Sequence, residues 1–180
     1  MPANPLTRSE VEGILQRSEG QTTSYAGAEQ NPDGPAHALA RHHYITNAGL
    51  MDRRDTQGRN GAIAFFSAFI TRSDMIDAAT DALNGPGGLW ARTFMFESGG
   101  AQNGMRAIID HLGALRRVRY AGGAGIIPTA WTRMLLDRFD ARPGRLHIHT
   151  FYPALDSGRA GDRVELKRRD GGGGARFPGP

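Results

Sequence analysis

The sequence predicts a single small domain of the α+β class. Three observations carry that expectation. Apolar residues recur at helical spacing in some segments and alternate in others. The last two predicted strands join in a hairpin across Pro143-Gly144. The chain has 180 residues and no internal repeat, enough for one core with short appendages.

Taken in order, the elements are these. Thr7 and Glu10 stand at capping-box spacing ahead of Val11, Ile14 and Leu15, predicting a short first helix. Gly20 to Pro35 is polar and rich in turn residues, so residues 1–35 read as an N-terminal appendage and linker. His37 to Arg53 reads as helix, with a weak point at Asn47-Ala48-Gly49. Ala62 to Ile70 is apolar and aromatic, predicting a buried strand. Thr71 or Ser73 can cap the next helix, in which Met75, Ile76, Ala79 and Leu83 share a face, and Asn84-Gly85-Pro86 ends it. Leu89 to Phe96 reads as a strand, with Trp90, Arg92, Phe94 and Phe96 on one side. Met105, Ile108, Ile109, Leu112 and Leu115 predict a helix from Asn103 to Arg116. Arg145 to Tyr152 reads as a strand after Pro143-Gly144. Trp131, Met134 and Leu135 would fit a helix, but a hairpin across that turn makes 130–138 a strand. Residues 157–180 hold four consecutive glycines and little apolar content, predicting a disordered Gly/Arg tail.

Composition excludes several functions. With no cysteine there is no disulfide framework, thiol nucleophile, iron–sulfur cluster or cysteine-based zinc site. The longest apolar run, Ala62 to Ile70, falls far short of the roughly 20 residues that span a bilayer. Residues 1–20 lack a basic start followed by an apolar block, so no signal peptide or membrane anchor is expected. The net charge of +4 is compatible with an anionic partner but is no polybasic coat. Lys167 is the only lysine; every other cation is arginine, whose planar fork suits phosphate, although a GC-rich genome gives the same bias.

Histidines 37, 42, 43, 111, 147 and 149 are the chemically informative residues. On a helix, His37 and His42 are displaced by about 140° and do not share a face. On a strand, His147 and His149 point to the same side. Those two with an earlier histidine could hold a first-row metal, yet no carboxylate stands at ligand spacing near either pair. Surface or hydrogen-bonded strand histidines account for them as well, and no metal or other cofactor is expected. A lone histidine can instead move protons, since its pKa of about 6.5 suits neutral pH. RNA cleavage needs little more than a proton acceptor, an arginine and hydroxyl donors around a phosphate, because RNA carries its own nucleophile in the 2′-hydroxyl.

One ordered set of short motifs stands out. His37-Ala-Leu39-Ala-Arg41-His42 is followed eleven residues later by Arg53, then by Ser67-Ala68-Phe69 before a capped helix, and finally by Thr150-Phe151-Tyr152-Pro153. This order resembles the RNase A-like toxin domains of bacterial contact-dependent growth inhibition proteins, across roughly residues 36–84 and 129–153. The resemblance implies a metal-independent ribonuclease with an α+β, kidney-shaped fold: N-terminal helices and a curved antiparallel sheet spanning residues 36–156. It places the catalytic residues at His42, Arg53, Thr150 and Tyr152, with His37, Arg41 and His43 around the substrate. Where the family pattern runs Val-Gly-Lys-Thr, this chain has His43-Tyr44-Ile45-Thr46, so Ile45 replaces a cation and His43 is placed to compensate.

The function so implied is an endoribonuclease toxin module that cuts RNA by transesterification to a 2′,3′-cyclic phosphate. It would be secreted through a carrier, delivered to a target-cell cytoplasm and held in check by an acidic cognate immunity protein. The alternatives are a non-catalytic module that binds RNA or a protein partner, and a metal-dependent hydrolase using His147 and His149.

Overall fold

The computed structural model describes residues 3–21, 36–43, 45–57, 66–97, 105–121, 125–138, 146–155, 160–168 and 175–177. It is an α+β protein. Among the described residues five helices and six strands run in the order α1 (Arg8–Ser18), α2 (Ala38–His42), α3 (Asn47–Gln57), β1 (Ser67–Phe69), α4 (Arg72–Asn84), α5 (Pro86–Glu97), β2 (Met105–Tyr120), β3 (Ile126–Arg138), β4 (Leu146–Pro153), β5 (Arg163–Arg168) and β6 (Arg176–Phe177). The strands form one six-stranded antiparallel sheet, ordered β4-β3-β2-β5-β6, with the short β1 paired to the far end of β2.

The first helix starts as its sequence dictates. Thr7 caps it and Glu10 reaches back to the Thr7 backbone, completing the capping box. Val11, Ile14 and Leu15 are buried in the main core with α4, α5 and the sheet. Residues 1–35, expected as an appendage, therefore contribute a core helix. The predicted linker from 22 to 35 lies outside the described residues. Thr71 caps α4, and Met75, Ile76, Ala79 and Leu83 are buried, as the spacing predicts. The helix expected over 37–53 breaks earlier than Asn47-Ala48-Gly49. His43 leaves the helical path to bridge Phe69 of β1, and α3 restarts at Asn47 with Thr46 Oγ1 accepting from the Gly49 N–H.

Two elements exchange type. Leu89 to Phe96, expected as a strand, lies within α5. Pro86 opens that helix at the position where a missing N–H costs nothing. Trp90 and Phe94 stack with centroids 5.5 Å apart, an i,i+4 pair that alternation mimicked. Conversely Asn103 to Arg116, expected as a helix, lies on the long strand β2 from Met105 onward. Met105, Ala107 and Ile109 alternate into the core, while the adjacent Ile108 and Ile109 produced the false helical spacing. The stretch 130–138 is strand as expected, within the longer β3, and β4 matches its prediction.

The tail departs from expectation too. Residues 163–168 form β5 on the edge of β2, with Val164 and Leu166 buried in the core, and 176–177 form β6. Those two alternating apolar residues were outweighed by the surrounding glycines in any average over 157–180. The compact unit thus extends beyond 36–156 at both ends.

Candidate active site

Helix α2 has five residues, too few to stand alone. It is held from outside. The Glu19 carboxylate, just past α1, accepts from the Leu39 and Ala40 N–H groups at 2.9 Å each. The His37 N–H donates to the His149 carbonyl of β4 at 3.0 Å. This fixes both ends of the H-x-x-x-x-H motif against the sheet.

His42 closes α2 and is buried, 8% exposed. Its Nδ1 lies 3.0 Å from the Ser67 carbonyl of β1. A carbonyl only accepts, so Nδ1 carries the hydrogen and Nε2 holds the lone pair. Ser67 is itself tied down, its hydroxyl donating to the Pro153 carbonyl at 2.6 Å. Burial pushes the His42 imidazole down to about 3, against the opposing Ser67 carbonyl, and the positive charge of Arg53 and the neighbouring His37 and Arg41 add to the depression. At neutral pH the ring is an uncharged base.

The other expected residues converge on it. The Tyr152 ring lies 5.1 Å from the His42 ring, tilted by 32°. Arg53 is delivered by α3, its Nη1 donating to the Arg41 carbonyl at 2.6 Å and its guanidinium lying 5.7 Å over the Phe66 ring. Its Nε is buried without a hydrogen-bond partner among the described residues, and desolvation with the nearby Arg41 lowers its basicity. Thr150 is buried with Oγ1 likewise unpartnered there. His37 joins the cluster, 6.0 Å from the His42 ring and 5.5 Å from His149.

Two residues stand elsewhere. Arg41 is exposed and enters the cluster through its carbonyl. Burial and then Arg72 of α4 lower the His43 pKa, whereas the cations acting on His42 are Arg53, His37 and Arg41. His43 bridges Phe69 of β1 and lies within the field of Arg72.

Strand β4 carries a β-bulge that decides what faces the site. Leu136 pairs with Ile148 but Leu135 pairs with Thr150, so His149 is the extra residue. Ile148 and Phe151 face the core, and Thr150 and Tyr152 the site. His147 and His149 flank Ile148 at this bulge, and their rings lie 6.4 Å apart. Both lie with Asp137 in a buried group whose ligand-type atoms are within 4.8 Å of one another. Asp137 escaped sequence reasoning because it reaches His147 through cross-strand register, not local spacing. Arg106 donates to both its oxygens, Nε at 2.7 Å and Nη2 at 2.9 Å, and already supplies its counter-charge. That is the donor set of a compensated buried ion pair rather than of a metal cage.

Fold and cluster together define a small α+β protein in which a helix-borne histidine, with an arginine close by, meets a tyrosine on an edge strand of an antiparallel sheet. The same fold occurs in the crystal structure of a CdiA-CT/CdiI complex from Y. kristensenii 33638, with a TM-score of 0.50 and 21% identity, covering 67% of this chain and 100% of that one. No family model matches the chain, and comparison with curated proteins finds no match.

Proposed function

We propose that this chain is a metal-independent endoribonuclease toxin module. The observation that carries the reading is the convergence on His42: an imidazole with a fixed tautomer beside Tyr152 and within the field of Arg53, with the buried hydroxyl of Thr150 two residues before Tyr152 on the same strand. The fold shared with a CdiA-CT/CdiI complex supports the toxin part, as does the resemblance of the motifs around these residues.

In this reading His42 Nε2 takes the proton from the 2′-hydroxyl, and the freed oxygen attacks phosphorus. Arg53 and Thr150 donate to the non-bridging oxygens as charge grows there. The P–O5′ bond breaks, leaving a 2′,3′-cyclic phosphate and a 5′-hydroxyl. An anionic phosphate beside His42 raises its basicity again, because an opposite charge favours the protonated ring. The partners that follow are an RNA substrate and an acidic immunity protein covering the cluster, with action in the target-cell cytoplasm. Among the described residues no helix is long and apolar enough to cross a membrane.

The test is purified protein against total RNA in excess chelator, with His42→Ala alongside. Cleavage by the wild type alone, leaving cyclic phosphate ends, is the expected result. Full activity in a folded His42→Ala variant defeats the assignment. RNA bound but uncut by the wild type favours a binding module, and activity only with added metal favours a hydrolase.

A further inference from the structure

The acid that protonates the leaving 5′-oxygen is not assigned by the motifs, and the sheet offers a device for it. Asp110, Arg133 and Tyr152 are successive cross-strand neighbours on β2, β3 and β4. Arg133 donates to both oxygens of Asp110, Nε at 2.6 Å and Nη2 at 2.9 Å. Such a bidentate pair fixes the plane of the guanidinium. The Asp110 hydrogen bonds raise the Arg133 pKa against burial, and the Tyr152 oxygen, also within hydrogen-bond reach, raises it further. Tyr152 then meets the His42 ring at 5.1 Å.

The chemistry of that row is directional. A guanidinium has donors only, so at Tyr152 it occupies an acceptor position of the phenol oxygen. The phenol proton must then point away from Arg133, leaving it free to be donated elsewhere. A positive charge beside the phenol also favours its ionised form.

We infer that Arg133, clamped by Asp110, is a positioning residue that poises Tyr152 as the proton donor to the leaving 5′-oxygen. The inference rests on the ribonuclease reading of the same site. The step balances without any further reagent. His42 gains the 2′-hydroxyl proton, the O2′–P bond forms, the P–O5′ bond breaks, and O5′ takes the Tyr152 proton. An imidazolium and a phenolate then stand side by side. The buried imidazole is a poor proton holder, so it returns its proton to the phenolate and both groups are reset. Among the described residues, His42 from α2 and Arg133 from β3 face Tyr152, with Arg53, His37 and Asp110 one side chain further.

The experiment compares Arg133→Met, Arg133→Lys, Tyr152→Phe and the Arg133→Met/Tyr152→Phe double variant in the full chain, each checked for an unchanged melting temperature. Two RNA substrates are used in single turnover: one with the natural 5′-oxygen and one with a bridging 5′-sulfur, a leaving group needing little protonation. On the oxygen substrate, Tyr152→Phe is expected to cost about 10²-fold, the scale of general acid catalysis, and Arg133→Met about tenfold. On the sulfur substrate both losses largely disappear. In the Tyr152→Phe background Arg133→Met costs nothing more. By difference absorbance against Tyr152→Phe, the Tyr152 phenol titrates at higher pH in Arg133→Met than in wild type, and Arg133→Lys restores most of the shift. Equal losses on both substrates, an undiminished effect in the Tyr152→Phe background, or an unmoved phenol titration overturns the inference. RNA left intact by the wild type instead overturns the ribonuclease reading, and the titration still reports whether Arg133 acts on Tyr152.

Discussion

Replacing Glu19 by Ala is expected to loosen the site without unfolding the protein. Glu19 touches none of the proposed catalytic groups; it accepts from the Leu39 and Ala40 N–H groups at the start of α2. Removing an N-terminal cap costs about 1 kcal/mol, and hydrogen bonds to a charged group about 1.5–3 kcal/mol each when buried. Ala40 is exposed and Leu39 half-buried, so a combined loss of about 2 kcal/mol is appropriate. A helix of five residues has no propensity to absorb that loss. At 1.4 kcal/mol per tenfold, the local opening of α2 rises by about 30-fold. Amide hydrogen exchange at residues 40–42 should accelerate by about that factor while exchange in α4 stays unchanged. RNA cleavage should fall in proportion to the closed α2 population, and Glu19→Gln, which keeps one acceptor, should recover part of both. Unchanged exchange at residues 40–42, or full protection with lost activity, would refute the capping argument.

Other outcomes follow from the buried groups. Arg106→Met strands the Asp137 carboxylate inside the protein and should cost about 3–5 kcal/mol in denaturant unfolding, whereas Arg106→Met/Asp137→Asn recovers most of the loss. The His42 imidazole, held at about 3 in the fold, leaves the unfolded chain binding more protons between that value and its ordinary one. Its contribution to stability is therefore full at neutral pH and lost as pH falls through that window, so unfolding of His42→Gln should depend less on pH between 7 and 4, roughly the span below the free imidazole value. Burial pushes the Asp162 carboxyl up, but His111 at 2.8 Å and the Gly87 and Leu112 N–H groups outweigh it and hold it below the usual range. Asp162→Asn should thus lower the melting temperature at neutral pH and lose that deficit on acidification towards the carboxylate range.

Much of this was legible in the sequence wherever local chemistry decided the outcome. Thr7, Glu10 and Thr71 announce their helices because a cap is satisfied within three residues. The motif order brought His42, Arg53 and Tyr152 to notice together. The pieces that escaped depend on partners distant in the chain. Ile108 and Ile109 look helical in a window, but the long β2 is specified by β3 on one side and β5 on the other. Val164 and Leu166 look dilute in a glycine-rich tail until β2 supplies their strand neighbour. Asp137 and Arg133 carry no local signal at all; cross-strand register alone puts them beside His147 and Tyr152.

The bulge at His149 makes β4 behave like a text with a shifted reading frame. Residues before it keep one parity of inside and outside, and residues after it keep the other. Deleting His149 would therefore remove the bulge and merge the two frames, leaving Ile148 and Phe151 on the core side and Thr150 and Tyr152 on the other, whereas deleting a residue to either side of it would invert everything beyond. A two-residue insertion at the same place would preserve the parity. Away from the bulge, length variation in this strand is thus held to even steps, and His149 marks the one place where an odd step is absorbed, a rule set by backbone geometry before any side-chain chemistry is consulted.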